Sequence, residues 1–127
     1  PTDPELKVWD PHGLFGTSGA KTDPRVAPKK GKPVLPKHAF SAFFGTDLEE
    51  RLKELKIDTL ILTGVVTEIC VQNTAGDAFF RGYKVVVPRD GTAGLTLRDH
   101  EQGLSYMAKV YGAKITDIAS LRKRLSA

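Results

Sequence analysis

Thr63-Gly64-Val65-Val66-Thr67-Glu68-Ile69-Cys70 decides how this chain is read. The apolar run Leu60-Ile61-Leu62 before it reads as a buried strand, and Val71 to Arg81 after it reads as a helix. The stretch therefore joins a strand to a helix and places the single cysteine, Cys70, in the first helical turn. Unpaired backbone N–H groups and the helix dipole favour a thiolate at such a place. A cysteine-dependent acyl-transfer enzyme is the starting expectation.

Working outward, the pattern alternates regularly. Thr46 or Asp47 is placed to cap a helix carrying Leu48, Leu52 and Leu55 on one stripe. A strand over Ile57 to Thr63 leads into the cysteine stretch, and the helix that follows stops at Gly82. Tyr83 to Val87 reads as the next strand, and Arg89-Asp90-Gly91 turns out of it. Leu97 to Tyr111 reads as a third helix with Leu104, Met107, Ala108 and Tyr111 inward, ended by Gly112. Lys114-Ile115-Thr116 is a last strand, and Leu121 and Leu125 belong to a terminal helix. Strands apolar on both faces, alternating with helices, predict an α/β fold: a parallel sheet covered by helices on both faces. Ligands of such sheets lie at the carboxyl ends of the strands, where Gly64 to Cys70 and Arg89 to Gly94 both fall.

Upstream the character changes. Residues 1–36 hold seven of the eight prolines, a density that forbids long helices and predicts an ordered loop region, with Val34-Leu35 as a short strand at most. The 127 residues form one domain, divided into this loop region and an α/β core over 37–127. A loop of that length in a compact domain is usually functional.

Composition narrows the class. With 40% hydrophobic and 27% charged residues the chain is expected to be a soluble globular protein. No apolar run approaches the roughly 18 residues of a membrane span, and the N-terminus lacks a signal-peptide pattern. One cysteine makes no internal disulfide, so a cytoplasmic setting is expected. The net charge of +4 comes from scattered residues and two short clusters, Lys29-Lys30-Gly31-Lys32 and Arg122-Lys123-Arg124. Neither is interleaved with aromatics, so no nucleic-acid partner is expected.

Two segments carry a resemblance. Gly64 to Val71, followed by Thr74-Ala75, Asp77-Ala78 and Arg81-Gly82-Tyr83-Lys84-Val85, resembles the signature of the isochorismatase-like cysteine hydrolases. Lys37 to Leu48, ending Phe44-Gly45-Thr46-Asp47-Leu48, resembles the lysine motif of the same family. The resemblance implies a Cys-Lys-Asp triad with Cys70 and Lys37 as two members. It also implies a cis peptide between Val65 and Val66, and an oxyanion hole from the N–H groups of Val66 and Cys70. Asp3, Asp10 and Asp23 do not match the family's aspartate motif. In the family that aspartate ends the first strand, so the N-terminal strands are expected to be missing here and the chain to be the C-terminal part of a longer domain.

The loop region resembles one branch of that family. Glu5-Leu6-Lys7-Val8-Trp9-Asp10-Pro11-His12, then Gly16-Thr17 and Gly19-Ala20, is similar to the metal-binding loop of nicotinamidases. This implies His12 and Glu5 as ligands of a divalent metal, Zn²⁺ first and Fe²⁺ or Mn²⁺ as alternatives. It implies Trp9 as the aromatic that packs on a pyridine ring, with Phe40 as a second wall. His38 and His100 have no such context, and His100 is expected to face solvent. The function implied is hydrolysis of nicotinamide to nicotinate and ammonia through a Cys70 thioester, placing the enzyme in NAD salvage. The alternatives are another hydrolase of the family (an isochorismatase, an N-carbamoyl amidase or a ureidoacrylate amidase) or a truncated non-catalytic module. The partners implied are a small amide substrate and further copies of the chain, as a dimer or tetramer.

Overall fold

The structure is a computed structural model and describes residues 3–127, so Pro1 and Thr2 of the expected loop region lie outside it. Up to Thr46 the chain holds only short 3₁₀ turns, at Pro4–Lys7, Ser18–Ala20 and Pro24–Val26. Prolines open the first and third of these turns, where a missing N–H costs nothing. Val34 and Leu35 form no strand; Val34 is exposed and has no partner strand to satisfy its backbone.

Helix α1 spans Leu48–Glu54, β1 Thr59–Ile61 and β2 Gly64–Val65. A π-helical turn, Thr67–Val71, then runs directly into α2, Gln72–Phe80. Strand β3 spans Lys84–Pro88, β4 Thr92–Ala93, α3 Leu97–Tyr111, β5 Lys114–Thr116 and α4 Ile118–Leu125. The helix boundaries follow local chemistry. Thr46 Oγ1 accepts from Leu48 N at the start of α1, while Asp47 makes no capping bond and pairs with Arg51 instead. Thr96 accepts from Asp99 N, and Asp117 accepts from Ser120 N. Gly112 ends α3 in the left-handed conformation at φ 63°, which costs a glycine nothing.

Strands β1, β3 and β5 form a parallel sheet in the order β1-β3-β5, with Leu60 beside Val85 and Val87 beside Ile115. Strands β2 and β4 form a second, short parallel ladder pairing Gly64 with Thr92. Leu62 N donates to Val86 O between the two ladders. The expected long strand over Ile57 to Thr63 is thus shorter, Thr59–Ile61, and the separate strand β2 follows it.

Alternation along the strands sorts the side chains. Leu60, Leu62, Val85, Val87 and Ile115 face the core, where they meet Ala75 and Ala78 of α2 and Leu104 and Met107 of α3. Phe43 joins them from the segment before α1 and stacks on Tyr83 at 6.0 Å between centroids. Ile61 and Val86 point to the opposite face, and Ile61 keeps 42% of its surface. The run Leu60-Ile61-Leu62, expected to be buried throughout, is therefore buried on one side only among the described residues. None of the helices is long and apolar enough to cross a membrane.

Candidate active site

The short β2–β4 ladder places Val65 beside Ala93, so the segments after β2 and after β4 open on the same end of the sheet. The Val65–Val66 peptide bond is cis. Val66 O then accepts from Ile69 N at 3.1 Å and from Val71 N at 3.2 Å, the latter an i to i+5 bond that widens the turn. Such π turns recur at functional sites because they re-aim one side chain. Here the turn carries Cys70, which is half-buried and free of any disulfide.

Lys37 reaches the same place from the loop region. Its ammonium donates to Ala39 O at 2.8 Å and lies 3.7 Å from Cys70 Sγ. Thr74 of α2 accepts from Ala42 N at 3.1 Å, which ties the segment after Lys37 to the helix that follows Cys70. A second tie is the Arg81 guanidinium, 4.9 Å above the ring of Phe43.

Cys70 and Lys37 lie at a cavity of about 390 Å³. Trp9, Phe40 and Leu95 supply its apolar walls, with Val66 and Ile69 beside the cysteine. Trp9 remains 44% exposed at the cavity. Trp9 and Leu95, 86 positions apart in sequence, thus share one pocket. Leu95, at the carboxyl end of β4, was carried by no sequence signal beyond its place after a strand.

Glu5 and His12 line the same cavity. His12 Nδ1 donates to Asp10 O at 2.7 Å, which leaves the lone pair of the neutral ring on Nε2. That fits His12 to be one ligand of a cation. Among the described residues, however, no three His, Cys, Asp or Glu side chains gather closely enough to hold a metal ion. Glu5 and His12 alone supply fewer donors than the three a catalytic centre takes.

His100 corrects the expectation of a solvent-facing side chain. It is only 8% exposed, and its Nδ1 shares a 2.8 Å hydrogen bond with Thr67 Oγ1, itself fully buried. The first turn of α3 packs on the π turn, and His100, four and seven residues before Leu104 and Met107, lies on the same buried stripe of the helix. Glu68 was also passed over. Its Oε1 accepts from Leu95 N at 2.8 Å across 27 residues of sequence.

Comparison with known proteins agrees with this architecture. The model of the isochorismatase domain matches residues 1–120, and the chain belongs to the isochorismatase family. An isochorismatase-like hydrolase from Alkaliphilus metalliredigens superposes with a TM-score of 0.91 at 35% identity, covering 98% of this chain and 67% of that one. The nicotinamidase/pyrazinamidase of Bacillus subtilis gives 0.85 at 36% identity, covering 91% and 67%. The N-carbamoylsarcosine amidase of an Arthrobacter species is 44% identical over 71 residues, which are 56% of this chain and 27% of that protein. The chain thus spans about two thirds or less of the length of these relatives.

Proposed function

We propose that the protein is an amidohydrolase acting through a Cys70 thioester, with nicotinamide as its substrate. The observation that carries this reading is Lys37 Nζ, 3.7 Å from Cys70 Sγ at a cavity walled by aromatic side chains. In the proposed reaction the pyridine ring of the substrate stacks on Trp9, with Phe40 as the second wall. The Cys70 thiolate attacks the carboxamide carbon, and the N–H groups of Val66 and Cys70 bind the developing oxyanion. The C–N bond breaks as the nitrogen takes a proton, releasing ammonia and leaving the acyl group on sulfur. Water then cleaves the thioester, giving nicotinate and the free thiolate. The proton donor, and the base for the water, is a carboxylate outside these 127 residues, held in register by Lys37.

The same proposal assigns Glu5 and His12 as two donors of a divalent metal site, Zn²⁺ before Fe²⁺ or Mn²⁺, completed by further residues outside these 127. No step above depends on it. Metal analysis of the purified complete protein tests it: about one ion per subunit supports the assignment, and none removes it.

One observation favours a second reading. Identity to the N-carbamoylsarcosine amidase is 44% over 71 residues, against 36% over a longer span for the Bacillus subtilis nicotinamidase. A carbamoyl C–N bond would be cleaved by the same thiolate. Ammonia release by the complete protein, compared between nicotinamide and N-carbamoylsarcosine, separates the two. In either case Cys70→Ala is expected to lower the rate by at least about 10³-fold, as losses of catalytic nucleophiles do. A Cys70→Ala protein that still releases ammonia at the normal rate sinks the mechanism.

A further inference from the structure

We propose that Glu68 is a positioning residue: it holds Leu95 in place as the apolar wall of the acyl pocket, and so tunes which amides the site accepts. The inference rests on the amidohydrolase reading and deepens it. Leu95 follows β4, and 59% of its surface is exposed. A residue that open has little packing to hold it, and the segment Gly94–Thr96 belongs to no regular element. Its one observed tether is the bond from Leu95 N to Glu68 Oε1, 2.8 Å long.

The tether is built in, since the space around the carboxylate leaves no room to spare. A Cβ at Gly94 would lie 2.7 Å from Glu68 Oε2 and 2.7 Å from His100 N. A Cβ at Gly103 would lie 3.1 Å from Glu68 Cα. Glycines at both positions let α3 and the segment after β4 close directly on Glu68. Glu68 Oε2 is buried and has no hydrogen-bond partner among the described residues. Burying a polar oxygen without a partner is unfavourable for folding, so its retention at this place argues for the other oxygen's role. The Thr67–His100 bond fastens the neighbouring residue to the same helix.

Glu68 acts through Leu95 rather than on the substrate. It lines a separate depression with Gln72, Asp99 and Tyr106, on the α3 side of the turn, and takes no part in the cavity that holds Cys70. Leu95 does line that cavity, together with Trp9. An apolar wall there favours a flat aromatic acyl group. Without its anchor the wall drifts and the preference relaxes.

The test uses the complete protein with Glu68→Ala, Glu68→Gln and Leu95→Ala. For Glu68→Ala we expect KM for nicotinamide to rise about tenfold while kcat changes less than about threefold. Glu68→Gln keeps an acceptor for Leu95 N–H and should recover most of that loss. Leu95→Ala, at an exposed position, should reproduce the KM rise, and the double variant Glu68→Ala/Leu95→Ala should be no worse than either alone. A second readout does not need the substrate: alkylation of Cys70, followed by peptide mass spectrometry, by N-phenylmaleimide against iodoacetamide. The aromatic reagent's advantage should fall about fivefold or more in Glu68→Ala and in Leu95→Ala. If nicotinamide is not turned over by the unaltered protein, the substrate reading fails and the alkylation ratio alone decides this proposal. Unchanged ratios in both single variants overturn it, as do additive losses in the double variant.

Discussion

Two regions of the molecule contribute to one pocket by opposite physical means. The segment before α1 is built from turns and prolines, and among the described residues up to Val34 only Asp3, Glu5 and Leu6 are even half-buried. The segment from α1 onward buries Ala75, Ala78, Val87, Leu104 and Met107 almost completely. Cys70 sits on the packed part, in a turn locked between a strand ladder and α2. Trp9 and His12 sit on the open part, and Lys37 joins the two through a bond to Ala39 O and its approach to Cys70. The difference teaches a division of labour. Chemistry needs sub-ångström placement and is carried by packed elements, whereas recognition is carried by side chains whose loss leaves the core untouched.

That contrast can be broken from the packed side first. Leu104→Ala removes a side chain that is 1% exposed between α2, α3 and the sheet. It should cost about 2–5 kcal/mol, read by chemical denaturation, and lower activity only through the folded fraction. If it leaves the denaturation midpoint unchanged, the core assignment fails. From the open side, Trp9→Ala should raise KM for nicotinamide by about tenfold, roughly 1.4 kcal/mol, with an unchanged melting temperature. A fall in melting temperature instead would show that the loop is part of the core after all.

Smaller effects sharpen the comparison at element ends. Thr96→Ala deletes the side-chain cap on Asp99 N and should destabilise by about 1 kcal/mol, measured by thermal melting. Because Thr96 directly follows Leu95, a change in KM beyond that stability loss would mean that the cap also positions the pocket wall. The smallest effect is a pH dependence. Asp117 is held below the usual carboxylate range by the backbone N–H of Ser120 and then by its hydroxyl. A carboxylate whose pKa is lower in the folded state stabilises the fold above its unfolded pKa. That contribution is lost as pH falls through the folded value. The start of α4 should therefore loosen first in acid, below about pH 4. Asp117→Asn should flatten that part of the profile, monitored by amide exchange at Ser120 and Leu121.

Much of the packed region was legible before any coordinates. Cys70 was placed at a strand-to-helix turn, and the stops at Gly82 and Gly112 lie where glycine takes positive φ, 82° and 63°. Local signals of this kind are read from a few neighbouring residues, so they survive without tertiary information. The resemblance of the two motifs placed Lys37 and Trp9 at the pocket. His100 falls on the stripe of Leu104 and Met107, so the period points inward and only its polar side chain suggested solvent. The period does not name the partner that makes burial tolerable, the hydroxyl of Thr67 on the π turn. Ile61 was misread because an apolar run is the same whether one or both faces of its strand are covered.

The sequence by itself determined the alternation of strand and helix, the position of Cys70 within it, and the open character of residues 3–36. These follow from hydrophobic period, capping residues and proline density, all of which act over a turn or two of chain. Only the tertiary structure decided that Lys37 Nζ comes within 3.7 Å of Cys70 Sγ. It alone decided that Glu68 holds the backbone at Leu95, and that Trp9 and Leu95 face one cavity. Those contacts span tens of residues, and they are set by the crossing of parallel strands, which no local pattern encodes.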